Sequence, residues 1–206
     1  MAQLRKSGSR VLEVTLTGDT IRAVTGAMVA YDGQVTFKNA GLGGGDGLKG
    51  AFKRKLSGES MSMMECSGTG VVYLAQNATE VELIELAGDV LQVESSALLA
   101  VEGGLKTDVT FTGLRGASSG QGLFTTTVSG HGCVAILSDG PAIVLEVSPQ
   151  WPLVVDPDAY VASRGQLTQS FVTDVSWKTF TGEGSGEAYS LRFDGTGLVY
   201  IQPAER

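Results

Sequence analysis

Histidine, cysteine and positive charge are all scarce in this sequence, and each shortage closes off a class of chemistry. One histidine, His131, stands in 206 residues, so a triad or an imidazole metal site would have to be built around the stretch "GHGCVAIL". Two cysteines, Cys66 and Cys133, are too few for a disulfide framework and read first as small buried apolar residues. Long apolar runs are missing as well: "PAIVLEV" is short and carries Glu146, far below the roughly 20 residues that cross a bilayer as a helix. The start "MAQLRKSGSR" is basic but is followed by the alternating "VLEVTLTGDT" instead of an apolar block. The expectation is a cytoplasmic protein whose first residues, about 1–9, run flexibly. Fifteen basic against 22 acidic residues leave a formal charge of −7, which repels phosphate backbones and disfavours nucleic acid as a partner.

Glycine, by contrast, is abundant, with 29 residues, and it is placed with a pattern. "GTGVVYL" from Gly68, "GHGCVAIL" from Gly130 and "GTGLVYI" from Gly195 each set a Gly-x-Gly before an apolar run. Upstream, "DTIRAVTGAMVAYDGQV" from Asp19, "DVLQVESSALLAVEGGL" from Asp89 and "WPLVVDPDAYVASRGQL" from Trp151 align without a gap, 70 and then 62 residues apart. In that frame Gly33, Gly103 and Gly165 coincide.

Each unit reads as a run of short strands, because its segments alternate ("DVLQVES", "LKTDVTFTG") or form apolar runs between turn residues ("CVAILS"). The pattern predicts one all-β domain over 1–206 with three pseudo-repeats, about 12–80, 81–143 and 144–203. The architecture is a jelly roll, a β-sandwich-like form or a pseudo-threefold arrangement. The recurring glycines Gly33, Gly68, Gly70, Gly103, Gly130, Gly132, Gly165, Gly195 and Gly197 are assigned structural roles. Those of each Gly-x-Gly are expected to serve turns, bulges or close strand approach just ahead of the most buried strand.

The first unit holds a surplus, Ala40 to Ser60, between its anchors. Its glycine run does not suit a strand, whereas "LKGAFKRKL" places Leu48, Phe52 and Leu56 on one face of a short helix near residues 48–56. Lys49, Lys53, Arg54 and Lys55 then form a basic patch suited to an anionic membrane surface or an acidic protein partner. A phosphate-cradling loop is a weaker reading, since neither a complete G-x-G-x-x-G nor a Walker Lys-Ser/Thr is present. Two further arrangements are considered. His131 and Cys133, two apart on one strand, share a face and could form a Cys-His pair, yet Thr69 and Thr196 replace His131 in the sister units. Glu59, Glu183 and Glu187 could act as paired carboxylates but read as hairpin residues. No catalytic residue, metal site or cofactor is assigned.

With these residues in view the chain resembles the family named after altered inheritance of mitochondria protein twenty-four. The resemblance rests on "GGGDGLKGAFKRKLSGESM", "GTGVVYLA" and the ending "GTGLVYIQP", and runs over roughly residues 10 to 203. It implies a β-rich, jelly-roll-type fold related to the tryptophan RNA-binding attenuation protein, and symmetric homo-oligomers among bacterial members. It also implies a link to mitochondrial inner-membrane organisation among eukaryotic members, and no enzymatic activity. Where the family pattern places an aromatic residue after Gly58-Glu59-Ser60, this chain has Met61. The function expected is that of a non-enzymatic scaffold or binding protein that assembles with itself. RNA binding by an oligomer, from fold analogy, and an enzyme using His131 and Cys133 are the alternatives.

Overall fold

Alternating apolar and polar residues commit Leu12–Val24 to a strand, and a single glycine lets it keep one face inward. Leu12, Val14 and Leu16 are buried on even positions, whereas Ile21 and Ala23 are buried on odd ones. The switch is made by Gly18, an extra residue at φ +90° that interrupts the register between Thr17↔Thr69 and Asp19↔Gly68. A strand's side chains alternate with a period of two, so without this bulge one half would turn its apolar residues to solvent. Gly88 makes the same correction between Ala87↔His131 and Val90↔Ser129. Asp19 Oδ2 accepts from Thr17 N, and Asp89 Oδ1 from Ala87 N, so one aspartate braces each bulge.

The computed structural model describes residues 2–39, 62–115, 121–172 and 190–203. They form β1 (Gln3–Lys6), β2 (Leu12–Val24), β3 (Met28–Asn39), β4 (Met63–Leu74), β5 (Glu80–Glu94) and β6 (Leu98–Glu102). Then follow β7 (Lys106–Arg115), β8 (Gln121–Ser138), β9 (Ile143–Val147), β10 (Leu153–Val155), β11 (Tyr160–Val172) and β12 (Ser190–Ile201). A short 3-10 turn, Ser95–Ala97, lies between β5 and β6 and is capped by the buried Glu94, whose carboxylate accepts from Ser96 N. The all-β class expected from the sequence is therefore observed. No helix among the described residues is long and apolar enough to cross a membrane. The expected helix near 48–56 and its bases Lys49, Lys53, Arg54 and Lys55 lie outside the described residues, as do Glu59, Glu183 and Glu187.

One expectation is corrected at the N-terminus. Residues 3–6 do not run free but pair with β2, Gln3 opposite Thr15 through Lys6 opposite Leu12. Arg5 Nε donates to the buried Glu13 at 2.7 Å, and Lys6 Nζ meets Glu82 Oε2 at 3.1 Å, so the segment is held to two strands at once.

All twelve strands belong to one open antiparallel sheet, ordered β10-β12-β11-β5-β8-β6-β2-β4-β3 with β1, β7 and β9 attached beside it. Three long strands are each flanked on both sides: β4 by β2 and β3, β8 by β5 and β6/β7, β12 by β9/β10 and β11. A register shift falls at corresponding points of the second flank, between Met28 and Ala30, Leu98 and Ala100, and Tyr160 and Ala162. The three-strand sets are joined by two short ladders. β2 pairs β6 through Ile21↔Glu102, Arg22↔Val101 and Ala23↔Ala100, and β5 pairs β11 through Leu91↔Arg164, Gln92↔Ser163 and Val93↔Ala162.

The core follows the ladders. One buried cluster combines first-set residues such as Leu12, Ile21 and Cys66 with Leu99, Ala100 and Ala135 of the second. Another combines second-set residues such as Leu91, Val101 and Val134 with Val161, Ala162 and Tyr200 of the third. The last, around Tyr160 and Phe193, draws its six buried members among the described residues from the third set.

Candidate functional site

The Gly-x-Gly motifs lie inside β4, β8 and β12 and not ahead of them. There they let neighbouring backbones touch. Gly33 is opposite Gly70, and Gly165 is opposite Gly197. A Cβ on Gly68, whose φ is +130°, would sit 2.1 Å from Gln34 O, and one on Gly195 would sit 2.1 Å from Gln166 O. Real Cβ atoms do not come so close, so these glycines close a seam within the first and third sets.

The middle set departs from the other two in a way that accounts for Glu102. Its flanking strand breaks into β6 and β7, so β8 loses a backbone partner between Val134 and Ser129. Glu102 closes the gap with its side chain: Oε2 accepts from Cys133 N at 2.7 Å. A Cβ on Gly132 would lie 2.4 Å from that same oxygen. The carboxylate is thus a substitute for a missing ladder bond to a backbone N–H that burial would otherwise leave costly.

This geometry bears directly on the His131–Cys133 pair. His131 is exposed and its ring lies against Gly88, where an added Cβ would be 3.0 Å from Cε1. Cys133 is buried, and burial, followed by the Glu85 carboxylate and then Glu102, pushes its thiol up to about 12. Cys66 is likewise pushed up to about 11, by burial and then by Glu65. A nucleophilic cysteine needs the opposite environment, an electropositive one that favours thiolate. The pair therefore carries no activated nucleophile. Among the described residues no group of three or more His, Cys, Asp or Glu could hold a metal ion.

What the structure does concentrate is interaction chemistry at the joints between sets. At the first joint Gly103 N donates to Thr20 O at 3.0 Å, and the half-buried Arg22 reaches across to Leu105 O and Thr107 Oγ1 at 2.5 and 2.9 Å. At the second, Tyr160 is fully buried, and its hydroxyl donates to Gln92 O at 3.3 Å. Arg164 donates to Glu85 O at 3.3 Å and lies 3.7 Å from Asp89 across a shallow, open groove. That groove forms part of the joint and encloses nothing.

Among the described residues β10 and β3 stand at the two ends of the strand order. On β3, Val29 is 58% exposed and Tyr31 51%, and every residue from 29 to 34 is exposed. At the corresponding positions 99–101 and 161–163 every residue is buried, Leu99, Val101 and Val161 fully. On the opposite edge Trp151 is 78% exposed and Val154 47%. Sequence reasoning missed these residues. The signal was present in the alignment, where Tyr31 and Val154 fall in frame with Val101 and Arg22, but which joints are closed is decided only by the fold.

Comparison with known proteins agrees with this architecture. A family model described as Mitochondrial biogenesis AIM24 matches residues 2–204. The X-ray crystal structure of a protein from Streptococcus pyogenes is similar at a TM-score of 0.74, with 23% identity over 100% of this chain and 94% of that one. At that identity the likeness is one of fold. No curated protein matches the chain.

Proposed function

This chain belongs to the mitochondrial biogenesis AIM24 family, and we propose that it is a non-catalytic β scaffold of three strand units that assembles with copies of itself. One observation carries the reading. Strand positions that are buried where sets meet inside the chain, Leu99 and Val101 at one joint and Val161 and Ser163 at the other, are exposed and apolar on β3 as Val29 and Tyr31, and at the opposite end of the sheet Trp151 and Val154 are exposed. A long open edge bearing large apolar side chains is a template for another strand. The chemistry of the interior supports the non-catalytic half, since both thiols are held protonated and the buried Glu102 is engaged with a backbone amide.

The test is mass in solution across a concentration series, by light scattering or sedimentation. A defined oligomer at micromolar concentration is expected. A monomer at every concentration up to about a millimolar would overturn the assembly reading.

The sequence supports a second contact. Lys49, Lys53, Arg54 and Lys55 cluster in an otherwise acidic chain, which suits an anionic lipid surface or an acidic partner. Reversing these four charges is expected to abolish flotation with phosphatidylserine vesicles while leaving the fold intact, and unchanged flotation would contradict it.

A further inference from the structure

We infer that the open groove at the second joint binds a small zwitterion of the α-amino acid class, with the ligand carboxylate on the Arg164 guanidinium and the ligand ammonium on the Asp89 carboxylate. The inference goes beyond the assembly reading and does not depend on it.

The two joints inside the chain are built from corresponding residues, and their differences leave two opposite charges loosely engaged at one of them. In the frame of the three repeats, with the Gly-x-Gly motifs in register, Arg164 takes the place of Glu102, and Gly197 and Leu198 take the places of Gly132 and Cys133. At the first joint β6 ends at Glu102, and that side chain is drawn in to accept from Cys133 N at 2.7 Å. At the second, β11 runs on unbroken, and Arg164 and Gly165 pair with Leu198 and Gly197 through the ladder. The Arg164 side chain therefore has no such gap to fill. Its Nη1 donates to Glu85 O at 3.3 Å and lies 3.7 Å from Asp89 Oδ2, whereas Nε and Nη2 meet no acceptor among the described residues. Arg5, Arg22 and Arg192 each set two nitrogens within 2.9 Å of an acceptor.

A second substitution frees the carboxylate. Asp19 Oδ2 accepts from both the amide and the hydroxyl of Thr17, at 3.3 and 2.8 Å. Ala87 stands where Thr17 stands and offers only its amide, which binds Asp89 Oδ1 at 2.9 Å. Asp89 Oδ2 is left with Arg164 at 3.7 Å, longer than a charge-assisted hydrogen bond.

Charge and shape then select the ligand. An arginine fork matches a carboxylate bidentately. An anion alone would meet Asp89 and Glu85, and a cation alone would meet Arg164. A molecule that carries both charges a few bonds apart answers each. The groove holds about 520 Å³, within the roughly 300–1,000 Å³ of small-molecule sites. Gly165 and Gly197 keep one wall free of side chains, and Ala87 and Leu198 offer apolar surface to the rest of the ligand.

The test titrates the isotope-labelled full chain with L-leucine and L-phenylalanine, each beside its deamino and its decarboxy analogue, and follows Arg164 Nε–H and the Ala87 and Gly165 amides by NMR. Saturable shifts are expected with at least one of the two amino acids, and binding at least about tenfold weaker for its single-charge analogues, the worth of one charge-assisted hydrogen bond. Arg164→Lys keeps the charge and loses the fork; Asp89→Asn keeps an oxygen for Ala87 N and loses the charge. Each should weaken binding at least about tenfold, with an unchanged β-sheet spectrum. Ala87→Thr, which returns to Asp89 the hydroxyl of the first joint, should weaken binding as well and reads the same carboxylate if Asp89→Asn unfolds. No saturable shift with either amino acid up to about 50 mM overturns the inference. A deamino analogue that binds as tightly as its parent, with Asp89→Asn and Ala87→Thr both without effect, marks a plain anion site and also overturns it. Neither result touches the assembly reading, which is tested by mass in solution.

Discussion

The joint between β2 and β6 and the open edge of β3 are made from corresponding pieces of chain, and they differ in almost every physical respect. At the joint, Leu99 and Val101 are fully buried, Gly103 donates to Thr20, and Arg22 spans the seam to Leu105 O. At the edge, Val29 and Tyr31 stand in those positions with half or more of their surface in water. The lesson is that the unit of stability is the joint between sets. Among the described residues the sets meet at two joints, β2 with β6 and β5 with β11, and the outer face of β3 has no such neighbour.

A substitution blind to that difference sets the upper bound. Gly68→Ala would place Cβ 2.1 Å from Gln34 O at a φ of +130°, a clash between backbones that no side chain can relieve. We expect a loss above about 4 kcal/mol, enough to abolish folding. Gly104→Ala, whose added Cβ would meet nothing within 4 Å, is expected to change stability by less than about 1 kcal/mol. Urea titration of both proteins checks the pair.

Leu99→Ala and Val29→Ala set the joint directly against the edge. Leu99 is fully buried in the first cluster, so its truncation is expected to cost about 2–5 kcal/mol. Val29 holds the corresponding place at 58% exposure, and its truncation should cost less than about 0.5 kcal/mol in the dilute protein. Equal costs would erase the distinction drawn here.

Alkaline pH probes the interior near Glu102. The Cys133 thiol, ordinarily near 9.0, is raised to about 12 in the folded chain by burial and then by Glu85 and Glu102. The stability this protonated thiol contributes is full below about pH 9 and is lost as pH rises toward about 12, because the unfolded chain ionises first. At pH 10.5 the loss should be about 2 kcal/mol. Comparing urea midpoints of wild type and Cys133→Ala from pH 8 to 11 should show a shallower decline in the variant.

Smaller again is Arg22→Ala, which removes the two hydrogen bonds across the first joint and should cost about 1–2 kcal/mol. The change leaves Leu105 O and Thr107 Oγ1 to water at a half-buried site, so thermal unfolding should shift by a few degrees.

Much of this fold was readable from local pattern. The parity of Leu12, Val14 and Leu16 against Ile21 and Ala23 marks both the strand and the bulge at Gly18, because a period of two cannot otherwise keep them on one face. Family membership was legible in the glycine-rich loop and the Gly-x-Gly endings. Three things were not. The glycines fall inside strands because what they answer to is a neighbouring backbone at contact distance, and pairing across sets leaves no mark in one stretch of sequence. The N-terminal residues 3–6 look solvated, yet Arg5 and Lys6 find Glu13 and Glu82 through pairing that spacing does not reveal. His131 and Cys133 read as a possible pair until burial and two carboxylates set the thiol against ionisation. The edge residues Tyr31 and Val154 were visible as residues but not as edges, because topology alone decides which ladders are made.

The most direct measurement is amide hydrogen exchange at Tyr31 and Val154 as a function of protein concentration, with Val101 and Arg22 as internal references. Val101 and Arg22 are expected to be protected at every concentration, whereas Tyr31 and Val154 exchange freely when dilute and become protected together as copies associate. Exchange at Tyr31 and Val154 that stays fast from nanomolar to millimolar protein, with Val101 protected throughout, would contradict it.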